Sequence, residues 1–177
     1  MRIFFICQRV PFPPDRGDKI TTYNEIRHLS TKHEVHVFCL ADGTPDLDNI
    51  PGLRRYAKSV TAVPVGWASK LRALNAMLAG KPLSVAAFNE AKLHDAVTRK
   101  FAELQPDLII VYSCNVAQYA EHFPRVPRIM QFAELDSQPV GVSKASSCPQ
   151  VIAVQRVRQG HHDGLSAARG CRRKKVA

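Results

Sequence analysis

Residues 1–31, MRIFFICQRVPFPPDRGDKITTYNEIRHLST, read as a short apolar strand, a proline-rich loop with one glycine, and then a helix. Residues 2–7 (RIFFIC) are a nearly continuous apolar run of strand length, which suits a strand buried on both faces. Pro11, Pro13 and Pro14 forbid regular structure and stiffen the exit from that strand. Ile20, Tyr23, Ile26 (or Arg27) and Leu29 then recur at helical spacing. Gly17 stands where the chain turns into the helix, and its missing Cβ lets a ligand approach the backbone. The first free amides of the helix, with the positive end of its dipole behind them, would face that ligand beside Arg16, Asp18 and Lys19. An α/β protein builds an anion or sugar-phosphate site in this way at the carboxyl end of its first strand. The stretch reads equally as strand, turn and helix without a ligand, since it holds neither G-x-G-x-x-G nor a Walker lysine.

Further along, residues 34–40 (EVHVFCL) alternate as a second strand, with Val35, Val37 and Cys39 on one face and His36 and Phe38 on the other. His33 and His36 have no third ligand nearby, so they read as strand-flanking histidines before they read as a metal pair. Residues 41–49 are a loop rich in Asp, Gly and Pro, residues 50–58 a short helix, and residues 60–65 (VTAVPV) a third strand that Pro64 ends or places at an edge. A helix over 67–80 carries Trp67, Leu71, Leu74 and Leu78 on one stripe flanked by Lys70, Arg72 and Lys81, a pattern shared by sheet-packing helices and by helices lying on anionic membranes. Residues 89–105 form another helix, with Leu93, Val97, Phe101 and Leu104 as its buried stripe. Pro106 and Asp107 stop it and open the strand LIIVY, the αβ junction of a parallel sheet. Ser113, Cys114 and Asn115 follow at that strand's carboxyl end, where ligands of open α/β sheets sit; Asn115 reads also as the cap of a helix over 116–122. Residues 127–133 are a fifth strand, leaving through Glu134, Leu135, Asp136 and Ser137. These two carboxylates suit a hydroxyl-binding or general-base role, and equally a helix start. The order of elements predicts an α/β fold with a doubly wound, Rossmann-like parallel sheet.

The 177 residues allow one domain with a sizeable core. No apolar run is long enough to span a membrane, and the N-terminal apolar segment is too short for a signal peptide, which points to a cytoplasmic protein. The five cysteines are scattered, with no C-x-x-C pair, which argues against both a disulfide framework and a zinc site. Eight of the 25 Lys and Arg residues but only one of the 15 acidic residues lie in 138–177, so that segment carries +7 of the +10 formal charge. It shows no sustained period except a short run from Val151 to Val157. Residues 1–137 therefore read as the folded domain. Residues 138–177 read as an irregular basic tail: disordered and anion-binding, translated out of frame, or a short linker.

Residues 1–40, MRIFFICQRVPFPPDRGDKITTYNEIRHLSTKHEVHVFCL, resemble the start of a bacterial family-4 glycosyltransferase of the GT-B fold. They are most similar to the subgroup associated with exosortase and PEP-CTERM exopolysaccharide systems, with its R-V-P-x-P-P-D-x-G-D-K loop, R-H-L helix segment and H-E-V-H strand. The likeness continues loosely to about Ser137, where Glu134-Leu135-Asp136-Ser137 stands at the family's D-x-D-S-like element, and the abrupt end there favours an out-of-frame tail. The resemblance implies transfer of a sugar from a nucleotide-sugar to a saccharide or lipid-linked acceptor, at the inner face of the membrane and without a bound metal or cofactor. It implies that this chain is the acceptor-side half, inactive without a nucleotide-binding half, with Arg16, Gly17, Asp18 and Lys19 as the glycine loop. By the same likeness Asp136 is the acceptor-side base, with Glu134, Ser113 and Asn115 as substrate-binding candidates. Nucleic acid is not an expected partner on this reading. The reading from another class is a stand-alone Rossmann-like binding module whose basic tail takes nucleic acid or anionic lipid.

Overall fold

A computed structural model describes residues 1–66, 87–132 and, as a backbone strand, 151–155. Six strands form one sheet: β1 (Arg2–Cys7), β2 (Glu34–Ala41), β3 (Ser59–Pro64), β4 (Leu108–Tyr112), β5 (Arg128–Phe132) and β6 (Val151–Gln155). Their order is β3-β2-β1-β4-β5-β6, and every neighbouring pair is parallel. β1 lies between β2 and β4, so Phe5 pairs with Val37 on one side and Ile110 on the other. That position explains its composition: after Arg2 every residue of RIFFIC is buried. The fold is the α/β, Rossmann-like class that the order of elements predicts.

Two apolar layers cover the sheet. Phe5, Cys7, Val35, Val37 and Cys39 face α1 (Gly17–Leu29) and α3 (Ile50–Leu53), through Ile26 and Leu53. Phe4, Ile6, Phe38, Leu40, Ile109 and Val111 face the helix that we label α4 (Ala91–Leu104) and a 3-10 helix (Cys114–Ala120). The two-residue alternation read from β2 thus assigns its faces correctly. On α4, Leu93 and Val97 are buried, and Phe101 and Leu104 pack against the same layer. The Pro106-Asp107 junction is stitched to the start of β1. Arg2 N–H donates to Asp107 Oδ2 at 2.7 Å, and the Arg2 guanidinium donates to Leu104 O at 2.8 Å.

Three expectations need correction. The buried side of α1 is Lys19, Thr22 and Ile26, whereas Ile20 is 45% exposed. Tyr23, Ile26 and Leu29 pack on the core as their spacing predicts, while Lys19, beside Asp46, and Thr22, whose hydroxyl donates to Asp18 O at 2.8 Å, take buried positions in place of Ile20. The loop expected over 41–49 holds a five-residue helix, α2 (Thr44–Asp48), with Pro at its first turn and Gly43 before it at φ +97°. Only glycine adopts that conformation cheaply. Asn115 does not cap the following helix; Ser113 does. The sheet also takes in β6, which lies within the run from Val151 to Val157 that stands apart from the rest of 138–177. A run that short is too brief to declare a period, but parallel pairing with β5 satisfies the backbone groups on one side of this edge strand. Pro64 is the last residue of β3, an edge strand, where a missing N–H costs least. The predicted helix over 67–80 lies outside the described residues, and so do Glu134 and Asp136. Among the described residues no helix is long and apolar enough to cross a membrane.

Candidate functional site

Strand order reverses between β1 and β4, so the connections from these two neighbours run to opposite sides, and the carboxyl ends beside such a reversal are where open α/β sheets bind ligands. Gln8 and Arg9 leave β1 there, Asp42 leaves β2, and Ser113 leaves β4. Gln8 joins the two halves: its Oε1 accepts from Ser113 Oγ at 3.3 Å and from Asn115 Nδ2 at 3.4 Å. Ser113 sits at φ +89°, ψ 135°, unusual for a residue with a side chain. Such a conformation costs about 1–3 kcal/mol and persists where its surroundings hold it. Here Ser113 N–H donates to Gln131 O at 2.9 Å, and Ser113 Oγ accepts from Asn115 N–H at 3.4 Å.

Beside Gln8 is a cavity of about 300 Å³. Its polar lining is Gln8, Arg9 and Asp42; its apolar lining includes Leu40, Val65 and Phe88. Arg9 lies between two carboxylates, 3.7 Å from Asp18 and 3.6 Å from Asp42. Phe88 is held from behind, for Phe88 O accepts from the Tyr119 hydroxyl, which itself accepts from Glu90 N–H at 2.8 Å. Glu90 Oε1 accepts from Gly66 N–H at 3.0 Å, so the chain after β3 and the chain before α4 are fastened together at the cavity wall.

The glycine loop is arranged differently from its expected role. Arg16 is the extended N-cap residue of α1 and makes no side-chain cap; Gly17 is the first helical residue, with no positive φ. Asp18 joins Arg9 and Arg16, the latter at 3.9 Å. Lys19 is turned the other way: its Nζ lies 3.2 Å from Asp46 and 4.0 Å from Asp15, and its side chain is 9% exposed. Asp18 therefore touches the cavity lining through Arg9, and Ser113 and Asn115 touch it through Gln8, while Lys19 pairs with Asp46 of α2. Gln8, Arg9, Asp42 and Phe88 are absent from the sequence-derived candidates. The rule that singled out Ser113 and Asn115, polar residues just past an apolar strand, applies equally to the first three.

His36 is buried, with Nδ1 2.7 Å from Ser59 Oγ and its ring edge-on to Phe4. On the α4 side, the His94 ring lies 4.3 Å from that of Tyr119 and 6.0 Å from that of His122. No group of three potential metal ligands occurs among the described residues. Both His36 and His94 are held below the ordinary imidazole value, in each case mainly by burial; His122 lowers His94 further, against Asp95 and Glu121. A depressed pKa means that the unfolded chain takes the proton first, so this stability is full above about pH 6.5 and is lost as pH falls through the folded-state values. The urea midpoint should fall between pH 7 and pH 5. His94→Gln and His36→Gln should each flatten that fall, and slopes equal to the parent's would remove histidine from the explanation.

The sheet defines a class: an α/β protein with a doubly wound, Rossmann-like parallel sheet, whose carboxyl edge is the candidate binding face. Comparison of the chain with protein-family models gives no match, and comparison with curated proteins gives none either.

Proposed function

We propose that this chain is the acceptor-side domain of a glycosyltransferase of GT-B fold, working in exopolysaccharide synthesis on the inner face of the membrane. The observation that carries this reading is the cavity at the carboxyl end of β1, lined by Arg9, Asp42 and Gln8 together with Phe88. It adjoins the segment whose sequence resembles the family's glycine loop. In such a reaction an acceptor hydroxyl attacks the anomeric carbon of a nucleotide-sugar, and the diphosphate leaves. Growing charge on the diphosphate has to be met by amides and cations, which in this family belong to the nucleotide-binding half. The acceptor half holds the hydroxyl and takes its proton, the role that we propose for Asp136. Gln8 and Arg9 orient the acceptor, and Ser113 and Asn115 hold Gln8.

The chain alone is expected to bind acceptor glycans on a glycan array and to transfer no sugar from UDP-glucose or GDP-mannose. Arg9→Ala should reduce glycan retention at least tenfold. Measurable transfer by the purified chain would refute the assignment as an acceptor half. The tail makes another outcome worth measuring, given its eight basic residues against one acidic. Absent glycan binding, together with nucleic-acid or anionic-vesicle binding that falls steeply with salt and vanishes on deletion of 138–177, would replace it with a binding module.

A further inference from the structure

The charges of the described residues around the end of β1 nearly balance, with one carboxylate in excess. Among the described residues three cations lie there: Arg9, Arg16 and Lys19. Four carboxylates face them: Asp15, Asp18, Asp42 and Asp46. Arg9 is flanked by two, Lys19 by two, and Arg16 by Asp18. The set sums to −1. Asp18 also occupies the first turn of α1, where its charge offsets the half-positive end of the helix dipole. A phosphate entering the cavity would meet Arg9 only by approaching Asp42 and Asp18.

The lining fits a different ligand. Arg9 and the Gln8 amide donate, Asp42 accepts, and Leu40, Val65 and Phe88 are apolar. A hydroxyl donates and accepts at once, so it satisfies Asp42 and Arg9 together; a phosphate oxygen only accepts and leaves Asp42 facing like charge. A ring with hydroxyls around its rim and C–H groups on its faces matches both kinds of lining. The volume of about 300 Å³ is at the small end of small-molecule sites, which suits one ring.

We infer that the Gln8–Arg9–Asp42–Phe88 cavity binds an uncharged, hydroxyl-rich ring, a neutral sugar unit, with Arg9 gripping hydroxyls rather than anchoring an anion. This rests on the glycosyltransferase reading and narrows it: the acceptor unit held beside β1 is not phosphorylated. It departs from the anion or sugar-phosphate site that the loop sequence suggests.

The test is calorimetric titration of the whole chain with methyl glycosides of glucose, galactose and mannose, and with glucose 6-phosphate, galactose 6-phosphate and mannose 6-phosphate, in 20 and 200 mM NaCl. At least one neutral glycoside should bind, with an affinity that changes less than twofold with salt. Its phosphorylated counterpart should bind at least tenfold more weakly. Asp42 is 74% exposed, so Asp42→Asn should leave the fold intact. That change, alone or with Asp18→Asn, should raise sugar-phosphate affinity at least tenfold and make it salt-sensitive, a gain that an unfolded variant cannot give. Tighter binding of the sugar phosphate to the parent chain, weakened by Arg9→Ala, would overturn the inference while leaving the glycosyltransferase reading intact. No binding of any neutral glycoside would also overturn it. Neutral-glycoside binding together with the array result that favours a binding module would instead sink the glycosyltransferase reading and leave the cavity's preference standing.

Discussion

Phe4→Ala is expected to cost about 3–5 kcal/mol of folding stability, the largest effect of any single truncation proposed for this chain. Phe4 is fully buried in the middle of β1, between two paired strands. Its ring lies 4.8 Å from that of Phe38 and 6.4 Å from that of Phe101, so it joins β1, β2 and α4 in one layer. Backbone pairing on both sides leaves the strand little freedom to collapse into the hole. A domain of this size holds only about 5–15 kcal/mol in total, so the loss should be plain in the urea midpoint followed by circular dichroism. Phe4→Leu keeps most of the volume and should cost under about 1.5 kcal/mol. A loss below about 1 kcal/mol for Phe4→Ala would mean that the layer between the sheet and α4 is not packed as described.

Tyr119→Phe should produce the second largest effect, by removing one oxygen. Tyr119 is 1% exposed, and its hydroxyl joins Glu90 N–H to Phe88 O. Loss of a buried hydrogen-bonding group costs about 1–3 kcal/mol. Here the cost falls on the segment that forms the apolar wall of the cavity. Amide exchange at residues 87–90 should therefore quicken by about 10–100-fold, as the local opening energy falls by that amount. Glycan retention should fall with it, since Phe88 would lose its fixed position. Because phenylalanine keeps the ring, the His94 contact and the α4 packing survive, and β1 amides should exchange as before. Unchanged exchange at 87–90 would show that other contacts hold Phe88 in place.

These two residues were legible in the sequence to different degrees. Phe4 belongs to an apolar run that marks itself as a central strand, and its burial follows from composition alone. Tyr119 carries no local signal, because its partners are about 30 residues away along the chain. The same contrast runs through the site. Ser113 and Asn115 were recognisable as polar residues past an apolar strand. That they converge on Gln8, 105 and 107 positions earlier, depends on β4 pairing with β1. Lys19 looked like a ligand contact from its place in the loop, but a helix hidden in an Asp- and Pro-rich loop brings Asp46 to its ammonium.

The sequence by itself determined the α/β class, which residues of β2 share each of its two faces, the buried stripe of α4 and the αβ junction at Pro106-Asp107. Each of these rests on a period or a breaker that acts within about a dozen residues, so neighbours along the chain suffice to specify it. Only the tertiary structure decided which strand ends meet, which cations are already neutralised, and what the cavity beside β1 presents to a ligand. Charge balance and hydrogen-bond satisfaction are sums over neighbours in space. Here those neighbours come from β1, β2, β4, α1, α2 and the chain before α4, which no local pattern brings together.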